Sequence, residues 1–385
     1  MFRRQEGYQR RKIGEAEYLL PYGQKIADQK KAMKLNETAL VLWELLEQPQ
    51  TLSELCRGIA EYYQIAPETE ELASDIEIFI NELVNFGAVR KEIEQENGAY
   101  DAFFEISGIK AGMRGRAELI PQQFKIFAAE HKGEMADLEI HLLEQLPVSH
   151  QNGTTLIRNK ELQVSVWEDG FIFLFPTLEN IYEVRMNQAA DCAELYCRAP
   201  RREEEKDNLF LCIRPLFLFL AQRRGMFAIH SASLLYQGKA WLFSGHSGMG
   251  KSTHTGLWKE LLDTPLLNGD LNLCGEKDGK IFVFGIPWCG TSEIFTERTY
   301  ELGGIVLLEK APEDQVVVLS AEEKALRVMQ RMISPSWTAE WMLENLGFAE
   351  KLAEKNPVFH LRCTKEFSAV YKIKEQIDGC GEAEE

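Results

Sequence analysis

The sequence predicts a two-part chain, an α+β unit followed by an α/β unit. The first is small and winged-helix-like. The second has a mixed, largely antiparallel sheet that carries a phosphate-binding loop. Three observations predict this. Residues 245–252 read Gly-His-Ser-Gly-Met-Gly-Lys-Ser, the G-x-x-x-x-G-K-S pattern. The apolar strand before them follows another strand across Gln237-Gly238, a two-residue hairpin signal. The first ninety or so residues hold three capped helical stretches between short strands.

In chain order, 17–20 and 31–35 read as strands. Asn36 caps a helix from Glu37 to Glu47 that Pro49 ends, with Leu40, Trp43 and Leu46 inward. Thr51-Leu52-Ser53-Glu54 is a capping box opening a second helix. Pro67 opens a third, with Leu72, Ile76, Phe79, Leu83 and Phe86 on one face. Gly87 stops it, and Ala88-Val89 begins a wing. This unit spans 1–95. Residues 96–115, with glycines among charges, read as a linker. Residues 116–225 form a β-rich subdomain, in which 162–167 and 171–175 are strands joined by the turn Glu168-Asp169-Gly170. Residues 226–377 are the loop-bearing core, and 378–385 a disordered tail.

The chemistry of the loop follows from its residues. Gly245, Gly248 and Gly250 let backbone N–H groups turn toward phosphate oxygens, with His246, Ser247, Met249 and Thr253 completing the cradle. Lys251 carries charge to the β- and γ-phosphates, and the Ser252 hydroxyl suits Mg²⁺. The helix that follows aims its positive end at the same anion. Asp270 lies 19 residues after Lys251 among leucines, where an unpaired carboxylate is costly. A metal ion or a substrate hydroxyl is its expected partner; a solvent-facing strand end is the other reading. Residues 285–293 read as a loop bordering the site. Glu293 is a second metal candidate, and Arg298 a candidate for transition-state charge.

His230-Ser231-Ala232-Ser233, the hairpin, the loop and Asn268-Gly269-Asp270 together resemble the core of the HPr serine kinase/phosphorylase family. That core is similar to ATP-dependent phosphoenolpyruvate carboxykinase. The resemblance spans roughly 105–375, with sharp motifs over 226–293. It implies a P-loop kinase core that uses ATP and Mg²⁺ to phosphorylate a Ser or Thr hydroxyl. It implies catalytic roles for Lys251, Asp270 and His230. The family often has Asp-Asp where this chain has Gly269-Asp270. Asp270 then serves metal and base together, or His230 takes the proton; a hydrogen-bonded core histidine is the other reading of His230.

The front unit invites a DNA-binding reading, and charge excludes it. Residues 36–87 contain eleven acidic residues and one basic residue, Arg57, whereas a nucleic-acid face needs clustered Lys and Arg. Leu35-Asn36-Glu37-Thr38-Ala39, Trp43-Glu44-Leu45-Leu46 and Asn85-Phe86-Gly87 resemble a PqqD-type domain. That resemblance implies recognition of the leader of a ribosomally made precursor peptide. The implied mode is strand addition at an edge formed by Lys31, Met33 and Leu35, beside a groove lined by Ile76, Phe79, Ile80 and Leu83. Tethering a peptide this way raises the local concentration of its acceptor. Two other readings stand: a kinase of a free small molecule such as an amino acid, and a nucleotide-regulated peptide-binding protein without turnover. A helical module for homo-oligomerisation is a further reading of the front unit.

The 385 residues, 45% hydrophobic with net charge −17, suit several cores and no polyanionic partner. Eight cysteines show no C-x-x-C, and the pair Cys192 and Cys197 has no histidine near it in sequence, which argues against zinc. Reduced thiols and a cytoplasmic location are expected. The most apolar run, 209–220, is interrupted by Arg214 and Pro215 and falls short of the about 20 residues a membrane span needs.

Overall fold

The computed structural model describes residues 1–66, 70–93, 95–96, 98–147, 153–167 and 170–381. It is a mixed α/β structure built on two large mixed sheets and two small antiparallel ones. The expected turn residues Glu168 and Asp169, the helix opening at Pro67 and the last four residues lie outside the described residues.

The front of the chain runs β1 (Phe2–Arg4), β2 (Tyr8–Ile13), β3 (Ala16–Pro21), α1 (Gln24–Ala27), β4 (Met33–Leu35), α2 (Glu37–Leu45), α3 (Leu52–Tyr63), α4 (Glu70–Phe86) and β5 (Val89–Lys91). The caps hold as chemistry demands. Asn36 Oδ1 accepts from the Ala39 N–H at 2.7 Å, and Thr51 and Glu54 form a reciprocal capping box. Strands β2, β3 and β4 make one antiparallel sheet. Strand β5 pairs with β1, not with a following strand, so Ala88-Val89 closes on the start of the chain instead of opening a wing hairpin. Leu19, Leu42, Leu55, Ile76, Ile80 and Leu83 form the core of this part.

The second part corrects the expectation of a linker. Residues 102–114 form a hairpin, β6 (Ala102–Ile106) and β7 (Ile109–Arg114), at the edge of an eight-stranded sheet. Gly112 made this stretch look loop-like. In the fold it leaves room for an aromatic ring: a Cβ there would lie 2.5 Å from the Tyr100 ring. The sheet continues with β8 (Leu138–Leu143), β9 (Thr154–Arg158), β10 (Gln163–Trp167), β11 (Gly170–Leu174), β12 (Ile181–Asn187) and β13 (Cys192–Cys197). Its order is β6-β7-β8-β13-β12-β11-β10-β9, parallel only at β7–β8 and β8–β13. Helix α5 (Asn208–Arg223) is the apolar run. Its Cys212, Leu216, Phe217 and Phe219 join the core of this sheet to Leu271, Leu273 and Trp288 of the third part.

The third part runs β14 (Met226–Tyr236), β15 (Lys239–Ser244), α6 (Lys251–Leu262), β16 (Leu266–Asn268), β17 (Leu271–Lys277), β18 (Lys280–Phe284), β19 (Tyr300–Lys310), β20 (Gln315–Val317), α7 (Ala321–Met329), α8 (Ala339–Lys355), β21 (Val358–Cys363) and α9 (Phe367–Gly381). Gln237 and Gly238 both have positive φ, as a tight hairpin turn of this hand requires. Strand β15 is antiparallel to β14 on one side and parallel to β19 on the other. Helices cover both faces: α6 and α9 pack in one core with Trp258, Val370 and Ile373, and α7 and α8 in another with Val328, Phe348 and Leu352. Helix α9 extends through residues 378–381, expected to be disordered. Among the described residues no helix is long and apolar enough to cross a membrane.

Candidate functional site

The site is built where β15 ends and α6 begins. Ser244 closes a strand of buried residues, and the chain then comes to the surface, with His246, Ser247 and Gly248 exposed. Gly250 is the N-cap of α6 with φ +98°, a conformation that a side chain strains and glycine does not. Lys251 and Ser252 therefore fall in the first turn of the helix, where backbone N–H groups lack helical partners and attract anions. Trp258, fully buried, anchors the helix against Phe243 and Tyr236.

Three expected side chains converge at this point. Lys251 Nζ is 2.7 Å from His230 Nε2, and His230 Nδ1 is 3.3 Å from Asp270 Oδ1. The strand pairing explains the convergence. The Ser231 N–H donates to the Asp270 carbonyl, and the Ser244 hydroxyl donates to the His230 carbonyl. Burial, then the Lys251 charge, hold His230 below its ordinary pKa, while Asp270 opposes them. Burial also lowers Lys251, again opposed by Asp270. A neutral His230 accepting from Lys251 through Nε2 and facing Asp270 with Nδ1–H fits both distances.

The Gly269 position has a steric cause. A Cβ at 269 would lie 2.0 Å from Ser292 Oγ. The Ser292 hydroxyl, donating to the Cys289 carbonyl at 2.7 Å, thus takes the space of a side chain at 269. Gly290 is close-packed in the same way: a Cβ there would be 2.9 Å from that of Asp270. The 285–293 run thus borders Asp270. Trp288 within it is core, its indole N–H donating to the Phe210 carbonyl. Glu293 is exposed just beyond, and both it and Asp270 act on the Cys289 thiol. Arg298 is exposed and lies beside Asn268, Asn272 and Tyr300.

Sequence reasoning missed Arg331. Its carbonyl accepts from the His230 N–H, and its Nη1 is 3.0 Å from His246 Nδ1 in the loop. Its Nε is buried without a hydrogen-bond partner among the described residues. Its charge reaches both His230 and Lys251. It sits on an open cleft of ≈ 620 Å³ beside the loop, lined also by Met249, Leu308, Arg327 and His360. No local motif marks Arg331; it follows α7 and reaches the loop only through tertiary packing.

At the front, β4 pairs with β3 alone among the described residues, leaving its other edge open. The expected groove is corrected. Ile76, Ile80 and Leu83 are the inward stripe of α4, at 1%, 0% and 1% exposure, and Leu35 is buried as well. Spacing of i, i+4 and i+7 puts them on one face, and that face packs against α2 and α3. Lys31 is exposed, and Met33 and Phe79 are partly exposed.

The fold and site describe a protein with Lys251, His230 and Asp270 gathered at a glycine-capped helix head in one part and an open-edged small sheet in another. Residues 23–89 match the family model of PqqD, described as coenzyme PQQ synthesis protein D. Among solved structures, the HPr(Ser) kinase/phosphatase from Coxiella burnetii aligns over 41% of this chain and 96% of its own, at 9% identity and a TM-score of 0.25. No curated protein matches the chain.

Proposed function

We propose that the chain is an ATP-dependent kinase that phosphorylates a Ser or Thr hydroxyl of a ribosomally made precursor peptide, captured by its leader at the front of the chain. The observation that carries the chemistry is the Lys251–His230–Asp270 array at the head of α6. The PqqD match at 23–89 supports the peptide.

Phosphoryl transfer is mostly positioning and charge neutralisation. The N–H groups of 245–253 cradle the phosphates, and Lys251 leaves His230 to meet them. Arg331, with an unused buried N–H, supplies further positive charge beside the loop; Arg298 is the other candidate. Ser252 and Asp270, with Glu293 nearby, are the oxygen donors suited to Mg²⁺, a hard cation. When bound, Mg²⁺ neutralises charge on the phosphates. Asp270 accepts the acceptor's proton and His230 orients its carboxylate. The open edge of β4, which carries Met33, holds the leader by strand addition, with the partly exposed Phe79 of α4 as a further contact.

The test is the full chain with γ-labelled ATP, Mg²⁺ and a peptide encoded beside its gene. The expected result is label on the peptide, lost in Lys251→Met and Asp270→Asn while both variants keep the parent's melting curve. Label on a free amino acid instead would favour the small-molecule reading. Nucleotide binding without transfer would favour a non-catalytic one.

A further inference from the structure

We propose that Glu139, His141 and Cys192 form a site for one divalent transition-metal ion of the zinc type, in the middle of the eight-stranded sheet on the face turned away from its main core. The placement comes from strand register. Cys192 of β13 lies opposite Glu139 of β8 in a parallel pair. Alternation along β8 puts His141 on the same face as Glu139. One donor atom from each residue lies within 4.8 Å of the other two. Sequence spacing hid this, because the histidine comes 51 residues before the cysteine.

The donor set has one sulfur, one imidazole nitrogen and one carboxylate oxygen. This mixture suits zinc, which takes three protein ligands and leaves a fourth position for water or a further group. The exposed Glu96 carboxylate, 3.9 Å from His141 Nδ1, is within reach of that position. Glu139 and Cys192 are fully buried, and the His141 side chain is 14% exposed, which gives an entry path.

The surroundings favour a cation. Besides its burial, the carboxylates of Glu139, Glu194, Asp191 and Glu96 bear on the Cys192 sulfur. His141 Nε2 lies 2.5 Å from the Glu139 carboxylate, so two of the three donors already meet. Metal binding replaces the thiol proton, which goes to solvent, by the ion. The Glu139 carboxylate is already oriented by Arg114 Nε, the Tyr100 hydroxyl and the Glu96 N–H, each at 3.0 Å. Such outer partners fix a ligand's direction. Glu96 and Tyr100 belong to the stretch that joins the front of the chain to the sheet, so the ion would fasten that junction.

The experiment is a Co²⁺ titration of the full-length chain without nucleotide and without a histidine tag. The expected result is one equivalent bound with a thiolate-to-cobalt charge-transfer band, displaced by Zn²⁺. Cys192→Ser removes the band, and Cys289→Ser, near Asp270, retains it. His141→Gln, at a partly exposed position, weakens Co²⁺ binding by roughly 10-fold or more and gives a second reading if Cys192→Ser fails to fold. Absence of the band in the parent, or a band unchanged in both Cys192→Ser and His141→Gln, overturns the proposal.

Discussion

His254, one turn into α6, shows how much a single residue can reveal. It is 3% exposed, neither ring nitrogen has a hydrogen-bond partner among the described residues, and the ring stacks on Phe243. Burial lowers its pKa from 6.5 to about 4, opposed by Asp314. The native state therefore resists the proton that the unfolded chain takes up below pH 6.5. Stability is lost as pH falls from 6.5 toward about 4, at up to about 1.4 kcal/mol per pH unit from this group. His254→Phe keeps a ring against Phe243. Denaturation across that range should show the variant gaining on the parent by about 3 kcal/mol at the acid end. Parallel pH profiles would show that the histidine is not the titrating group. The second residue-scale prediction concerns Gly269. Gly269→Asp drives a side chain into Ser292 and should cost about 1–3 kcal/mol. Adding Ser292→Gly should recover most of this in chemical denaturation. No recovery would mean that Ser292 is not the obstacle.

At the scale of elements, the edge of β4 and the partly exposed Phe79 of α4 make the sharpest claim. On the proposed function, Met33→Ala with Phe79→Ala should raise the KM for the precursor peptide roughly 10-fold, as loss of a contact cluster does, and leave kcat unchanged. Steady-state kinetics separate the two, and a fall in kcat alone would place these residues outside leader binding. Elements also show what was legible in the sequence. The helices α2 and α3, the β14–β15 hairpin and the loop at 245–252 were readable because caps, turn residues and glycine spacing are local signals. The antiparallel neighbour of β15 followed from Gln237-Gly238. Its parallel neighbour β19 did not, because parallel pairing leaves no turn to read. The hairpin β6–β7 was hidden because Gly112 marks a ring packed on the strand, not a bend. Periodicity put Leu72, Ile76, Phe79, Leu83 and Phe86 on one face of α4, and the groove added Ile80, but periodicity alone does not say which face meets solvent. Arg331 and the Glu139–His141–Cys192 group depend on contacts between distant segments, which no window of sequence contains.

Over the whole molecule, Lys91 and Gln95 tie the front of the chain to the eight-stranded sheet through charge and hydrogen bonds. Lys91 Nζ pairs with the buried Glu194 at 2.5 Å, and Gln95 donates to the carbonyls of Ala136 and Asp191. Burial raises the pKa of Glu194, but Lys91, Tyr196 and Arg185 together bring it below its ordinary value. Lys91→Met leaves a buried carboxylate short of one partner and should cost on the order of 1–3 kcal/mol. Glu194→Gln in the same chain should offset part of that loss. A double-mutant cycle by denaturation measures the coupling, and a value near zero would show that the pair does not join the two parts.

The two unlike neighbours of β15 also bear on how the chain acquires its shape in time. The β14 side closes across two residues, an event on the order of microseconds. The β19 side must wait until α6 and strands β16–β18 have been gathered in, since Ala240 meets Leu302 only across that span, and such distant pairings come slowly. The cradle at the head of α6 rests on both. A refolding chain would therefore build one side of the support for the head of α6 almost at once and bring Lys251, His230 and Asp270 onto a finished sheet only in its last steps.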